Sequence, residues 1–473
     1  GRRHHDRRPD RDPGRRRHRH QPATLAGGLT LGLSTSEAAA AERRLLLGAV
    51  GLAAAAYALL NAAQDIPFGA DTVLRIGALV AGAAALHVVV RWLAPNADPV
   101  LLPLSVLLNG LGLVIVRRID LADVPAGSLA TSQATWTLVG IAAAIATLVV
   151  VRSHRELTRY HYTIGFVTLV LLLLPLLPVI GQRINGAQLW VRLGPVGFQP
   201  GEFAKLGLVI FLAGYLERKR ALLSVATHRL GPLMLPEARH LGPLLLATGM
   251  SLGIVVFQRD LGSGLLFFGV SVTMLYVATG RVAYPLIGSA AFLVGGLLAW
   301  LQFDHVRRRV SIWLDPWSQV NDAGYQIAQA AFALGTGGLT GTGLGLGLPD
   351  DIPYAATDAI FAIIGEELGL LGTTALLVAY ALFVVRGYRI ALTANDQVGT
   401  LLAAGLTTVM GLQVFVIVGG LTRLVPFTGI TLPFVSYGGS SLVANYVLLA
   451  LLLRVSDAAR AEAGDAGPGG RGR

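Results

Sequence analysis

Residues 397–420 read QVGTLLAAGLTTVMGLQVFVIVGG, a run without one charged side chain. At about 1.5 Å of rise per residue, a helix of that length outspans the roughly 30 Å hydrocarbon core of a bilayer. The run is therefore a membrane span. Outward from it, comparable apolar windows lie near residues 44–62, 73–94, 99–116, 134–151, 161–180, 202–216, 240–257, 261–279, 284–302, 359–385 and 434–453, making twelve candidate helices in all. Composition agrees: 53% of the 473 residues are hydrophobic and 14% charged, whereas soluble chains carry about 25% charge. The expected fold class is an all-α polytopic membrane protein, one helical domain with one long extracytoplasmic loop over 303–357.

The formal net charge of +11 comes partly from the opening stretch GRRHHDRRPDRDPGRRRHRH. It has no apolar positions to bury, so residues 1–42 are expected to form a disordered basic tail. A basic segment just before a span meets anionic lipid or sets topology, and nucleic acid is the weaker partner for it. No cleavable leader pattern is evident. The absence of cysteine excludes thiolate chemistry and disulfides. An even number of spans puts both termini on one side, and the basic tail assigns that side to the cytoplasm. RSHRELTR (152–159), ERKR (217–220) and RGYR (386–389) then fall inside, as the positive-inside rule requires. Arg117, Arg118, Arg183, Arg192, Arg423 and the run 307–309 fall outside. Each such arginine is either a fault in the layout or a group kept for an anionic ligand.

Loops as long as 303–357 are usually functional. YQIAQAAFAL (325–334) has amphipathic spacing that predicts a short interfacial helix. The following GTGGLTGTGLGLGLPDD is too rich in glycine for a helix, and it lacks the Gly-Lys-Ser/Thr ending of a nucleotide loop. Re-entrant packing and ligand contact both suit it.

Polar residues gather at the predicted outer helix ends. In FQPGEFAK, Pro200 suits a first helical turn, and Glu202 can pair with Lys205 three residues on. In QRDLGS, Asp260 is placed to cap a helix starting at Leu261. Arg307, Arg308 and Arg309 precede Trp313, Asp315 and Trp317, a combination that suits lipid phosphate or pyrophosphate, or a plain interfacial anchor. Arg423 leads into LVPFTGITLPFVSYGGSS, with Ser436, Ser440, Ser441 and Gly438-Gly439; such irregular backbone either lines a cavity or makes a tight capped loop. In AATDAIFAIIGEELGLLG (355–372), Asp358 heads a stripe of Ala362, Gly365, Gly369 and Gly372 at about 100° per residue. That stripe permits close packing or leaves room for a lipid chain. Glu366 and Glu367 are expected to point into the protein, because ionised groups facing lipid are costly. Spacing alone leaves a helix cap and a reactive acid nearly balanced for Asp358.

Together GAQLWVRLGPVGFQPGEFAKL, FQRDLGSG, RVSIWLDPWSQVNDAGYQIAQAAFALGTGGLTGTGLG, ATDAIFAIIGEELGLLG and GITLPFVSYGGSSL resemble, in order and over about residues 100–455, the SEDS family of cell-wall polymerases, nearest its RodA branch, with FtsW as the sister branch. The resemblance implies a peptidoglycan glycosyltransferase that extends glycan strands from lipid II on the outer face of the bacterial cytoplasmic membrane, in elongation or division. The family core has ten helices, three of them before the GAQLW loop, where five are counted here. Residues 43–98 are therefore expected to be two additional N-terminal helices, as in longer actinobacterial members, with the core over 99–455 and a second disordered cytoplasmic tail over 456–473.

By the same resemblance Asp358 matches the essential aspartate, and Glu202 and Asp260 match important acids. Lys205 and Arg423 look like cavity residues, and Glu366 is a supporting acid. The implied chemistry is attack of an acceptor 4-hydroxyl on a sugar activated as an α-linked pyrophosphate, giving a β-1,4 bond with inversion. One base suffices, and Asp358 is expected to accept or orient the proton. Arg307, Arg308, Arg309 and Arg423, with Ser436 and Ser440, are expected to hold the pyrophosphate. A divalent cation such as Mg or Mn could share that duty, and the glycine stripe would take the polyprenyl tail. The Ser-x-x-Lys acylation motif is absent, since the only lysines are Lys205 and Lys219. Crosslinking is therefore expected from a partner, by family analogy a class B penicillin-binding protein. A lipid II flippase or other transporter is the rival reading.

Overall fold

The computed structural model describes residues 1, 34–122, 129–184, 186–194, 196–224, 228–230, 233–235 and 238–465. Helices dominate: α1 (Thr35–Ala63), α2 (Ala70–Leu93), α3 (Leu101–Ala122), α4 (Leu129–Val150), the short α5 (His154–Arg159), α6 (His161–Leu173), α7 (Pro200–Ser224), α8 (Ala238–Phe257), α9 (Leu261–Thr279), α10 (Ala283–Gln302), α11 (Asp304–Leu314), α12 (Tyr325–Gly337), α13 (Ile360–Thr393), α14 (Gln397–Leu421) and α15 (Gly439–Asp465). Each of the twelve apolar windows coincides with one of them. Among the described residues nine helices are long and apolar enough to cross a membrane, and two shorter apolar ones, His161–Leu176 and Gly242–Phe257, join them. The remaining window is α7, whose Glu202, Lys205 and ERKR sequence lower its hydropathy.

Most of the expected N-terminal tail lies outside the described residues. Its end is corrected: α1 starts at Thr35, capped by Ser34, whose hydroxyl accepts from the Glu37 amide while the Glu37 carboxylate accepts from the Ser34 amide. At the other terminus α15 continues to Asp465, well beyond 455. Its last turns are held by polar contacts: Arg454 donates to the carbonyls of Leu93, Leu148 and Val151, and Arg460 joins Arg386 on Asp98. Nearby, Asp396 caps α14 and pairs with His154 and Arg155.

The stretch before α7 is a small antiparallel sheet, β1 (Gly181–Ile184), β2 (Ala187–Leu193) and β3 (Val196–Phe198), in the order β1-β2-β3. A second hairpin pairs β4 (His228–Leu230) with β5 (Leu233–Leu235). The 303–357 loop is largely ordered, containing α11, α12 and single 3-10 turns at Trp317–Gln319 and Pro349–Asp351. The helix expected over 325–334 is α12, but Ile327, Ala328, Ala330 and Ala333 are buried as it packs on α13. Protein rather than lipid headgroups receives its apolar face.

The glycine-rich segment after α12 and the interior of α13 explain each other. Gly369 has φ +65 and breaks α13. The freed groups pair with the segment: Thr342 and Gly343 amides donate to the carbonyls of Glu366 and Glu367, and the Leu370 and Leu371 amides donate to Gly338 and Leu339. A Cβ on Gly337 would stand 1.9 Å from the Gly365 carbonyl oxygen, and one on Gly369 would stand 2.3 Å from the Gly341 nitrogen. The glycines are there for close backbone approach. The stripe beneath Asp358 is thus neither one straight face nor a lipid groove, because Leu334 and the 337–341 backbone cover Gly365 and Gly369.

Candidate active site

Six pieces of chain meet at one cavity of about 760 Å³: the β1–β2 turn, the α8–α9 turn, α11 with the residues leading into it, the start of α12, the turn before α13 and the chain at and after the end of α14. Its charged lining is Arg259, Asp304, His305, Arg308, Arg309, Asp358 and Arg423.

Asp358 sits in a turn whose amides at Thr357, Asp358 and Ala359 all point at the Tyr354 carbonyl, with Tyr354 itself at φ +56. The residue capping α13 is Ala359, without a side-chain bond. Asp358 is therefore no helix cap, and the balance that spacing left open falls to the cavity. The peptides before it are clamped: the Ser436 hydroxyl donates to the Thr357 carbonyl at 2.5 Å, and the Tyr437 amide donates to the Ala356 carbonyl at 2.8 Å. Gly429, at φ +72, lets the chain pass close, since a Cβ there would stand 3.2 Å from Asp358 Oδ2. Burial pushes the Asp358 carboxyl up to about 6, against the opposing pull of a Thr357 hydrogen bond and of Arg309; the Asp260 charge adds to the rise. An acid so placed changes protonation near neutral pH, as a general base requires.

The arginines divide. Arg309 Nη1 donates to the Phe427 carbonyl at 2.7 Å, and burial lowers its pKa while Asp260 and Asp358 oppose that fall. Arg423, at φ +60, donates from Nη2 to the Trp313 and Leu314 carbonyls, lies over Trp317, and accepts from the Trp313 indole on its own carbonyl. It binds α11 to the end of α14. Arg308 lines the cavity, whereas Arg307 pairs with Asp304 at 2.5 Å on the exposed side and is not among the lining residues.

Glu202, Lys205 and Asp260 lie behind the lining. Lys205 Nζ bonds Glu202 at 2.5 Å and Gln413 Oε1 at 2.8 Å, joining α7 to α14. Asp260 caps α9 through the Ser263 amide and hydroxyl, and burial raises its pKa, with Glu202 adding to the rise. Ser440 accepts from the Gln199 amide. Both serines expected at pyrophosphate are therefore engaged in holding backbone, outside the lining. Glu366 is corrected too: it is buried beside Glu367 in the glycine-rich turns, accepting from the Leu348 amide, away from the cavity. Glu367 pairs with Arg118 at 2.8 Å, which explains one arginine out of place in the layout. Sequence reading missed Arg259 and His305. The Arg259 signal was an arginine at the end of a helix, where glycine is the usual residue.

Among the described residues no three His, Cys, Asp or Glu side chains gather to hold a metal. The cavity's carboxylates are Asp358 and Asp304, facing four arginines. These residues do not fit a resident divalent ion.

The profile of the family described as Cell cycle protein, covering FtsW, RodA and SpoVE, matches residues 99–461. Peptidoglycan glycosyltransferase RodA of Mycobacterium tuberculosis is 45% identical over 425 residues, 89% of this chain and 91% of the relative. A probable peptidoglycan glycosyltransferase FtsW of Geobacter metallireducens is 35% identical over 68% of this chain and 84% of its own. Among solved structures, a chain from a study of polymerization and crosslinking by a peptidoglycan synthase complex superposes with a TM-score of 0.61 at 31% identity, covering 76% of this chain and 97% of that one. The Rod shape determining protein RodA of Thermus thermophilus superposes at 0.54 with 28% identity, covering 76% and 96% of the two chains.

Proposed function

Because this chain belongs to the FtsW, RodA and SpoVE family and is a multi-pass membrane peptidoglycan glycosyltransferase, we propose that it polymerises lipid II at the outer face of the cytoplasmic membrane, with Asp358 as its base. The observation that carries this reading is a single acid with a pKa of about 6 set against a cationic wall. Asp358 takes the proton of the acceptor 4-hydroxyl as its oxygen attacks C1 of the donor sugar. The C1–O bond to pyrophosphate breaks on the opposite face, inverting the centre. The leaving group departs with its electron pair as a polyprenyl pyrophosphate, and the arginines of the lining stabilise that charge. A lone base agrees with single displacement, since no second carboxylate is needed as nucleophile. Any dependence on Mg or Mn would come from ions carried by the substrate's phosphates, and no step here runs through a metal.

Both termini are placed in the cytoplasm, on the strength of the basic tail. The partner is a crosslinking enzyme, a class B penicillin-binding protein. The absent acylation motif and the likeness to a chain of a peptidoglycan synthase complex support it. The test is polymerisation of labelled lipid II by purified protein, with and without that partner. Asp358→Asn should lower the rate by about 10²–10⁴-fold; undiminished polymer from that variant would remove Asp358 from the mechanism.

A further inference from the structure

Helix α8 ends in a Schellman arrangement: the Asp260 amide reaches back to the Val255 carbonyl and the Arg259 amide to Val256. The residue between Gln258 and Asp260 must then be left-handed, and Arg259 has φ +63. Glycine normally fills that position, because a Cβ there costs about 1–2 kcal/mol. Both neighbours are fixed. Gln258 is buried, donating to the Leu172 carbonyl and accepting from the Gln188 amide, and Asp260 is buried as the cap of α9. Arg259 alone is turned out, into the lining of the cavity that holds Asp358. Its guanidinium has no hydrogen-bond or ion-pair partner among the described residues, unlike Arg309 and Arg423, which are tied to carbonyls. His305, on the same wall, is held below its ordinary range by burial and then by Arg259 and Arg309. Asp304 opposes that fall at His305, but among the described residues no carboxylate pairs with Arg259.

We propose that Arg259 is the free guanidinium that grips the diphosphate of the lipid-linked donor, an inference that rests on reading the cavity as that donor's site. A strained backbone persists where the side chain it presents is used. A planar fork with all its donors free can take two phosphate oxygens at once. Arg309 and Arg423 serve instead as framework, and Arg308 supplies the second free charge.

The test compares Arg259→Gly with wild type and Arg259→Lys. Glycine relieves the left-handed strain, so the variant should melt at or above the wild-type temperature and any loss is one of binding. Inhibition of polymerisation by farnesyl pyrophosphate should weaken by about tenfold or more in Arg259→Gly. Inhibition by farnesyl monophosphate should change little, and lysine should recover part of the difference. An unchanged inhibition constant for the pyrophosphate in a well-folded Arg259→Gly protein would overturn the assignment while leaving the cavity reading intact. If wild type itself does not prefer the pyrophosphate to the monophosphate, the cavity reading fails first, and this inference fails with it.

Discussion

Asp358 concentrates the conflict between stability and activity. Its folded pKa of about 6 exceeds the ordinary value near 3.9, so between those two the folded state holds more protons than the unfolded one. Stability from the protonated acid is full below about pH 4 and is lost as pH rises through about 6. With Asp358 as the proposed base, activity runs the other way, because a base works only when ionised. Initial rates should rise with pH across a limb centred near 6 and level off above about 7. Arg309 lowers the Asp358 pKa, so Arg309→Gln should move that limb to higher pH, whatever it does to the maximum rate. Asp358→Asn should melt at a higher temperature than wild type at pH 7.5. An equal or lower melting temperature would contradict the burial penalty.

Between elements, the break in α13 and the buried charges beside it form one device. Arg118 donates to Glu367 and, from Nη2, to the Gly347 carbonyl at 2.7 Å, while Glu367 also accepts from the Gly345 and Gly347 amides. Arg118→Ala would strand a buried carboxylate and should cost about 3–5 kcal/mol, read as a large fall in melting temperature in detergent. Gly369→Ala meets both a left-handed φ and a 2.3 Å approach, and should be destabilising by more than about 1 kcal/mol. This device connects the end of α1 to the stretch of α13 that follows Asp358. Gln64, at the end of α1, donates to the Gly345 carbonyl, and Leu60 packs where a Cβ on Gly345 would point. The pair α1–α2 is itself held by buried Glu42, which bonds His87 and Arg91.

Across the whole molecule, the two ends of the helix bundle differ in kind. One end carries the cavity. The other is a network of ion pairs and capped carbonyls that fixes α15 against the ends of α2, α4 and α13. The proposed orientation puts the cavity outside, and a chain without cysteine makes that easy to check. Ser311→Cys, exposed on α11, should react with an impermeant maleimide in intact cells, and Asn395→Cys, exposed between α13 and α14, should react only after permeabilisation. The reverse pattern would invert the topology.

The spans were legible because a bilayer has one demand, apolar length, and a run such as 397–420 either meets it or does not. The same reading placed Glu202, Asp260, Asp358 and the arginines at one set of helix ends. It could not separate Arg308 and Arg309, in the lining, from Arg307, paired outward with Asp304, because adjacent residues on α11 face different ways and only packing shows which way the cavity lies. Nor could it tell that Gly369 breaks its helix, since the carbonyls and amides released there are satisfied by a glycine-rich turn more than twenty positions earlier in the chain. That Asp358 is not the cap of α13 was likewise a tertiary decision. The answer lay in the residues that surround it, Ser436, Gly429, Arg309 and the Tyr354 carbonyl, which meet only when the segments on either side of α13 and α14 fold together.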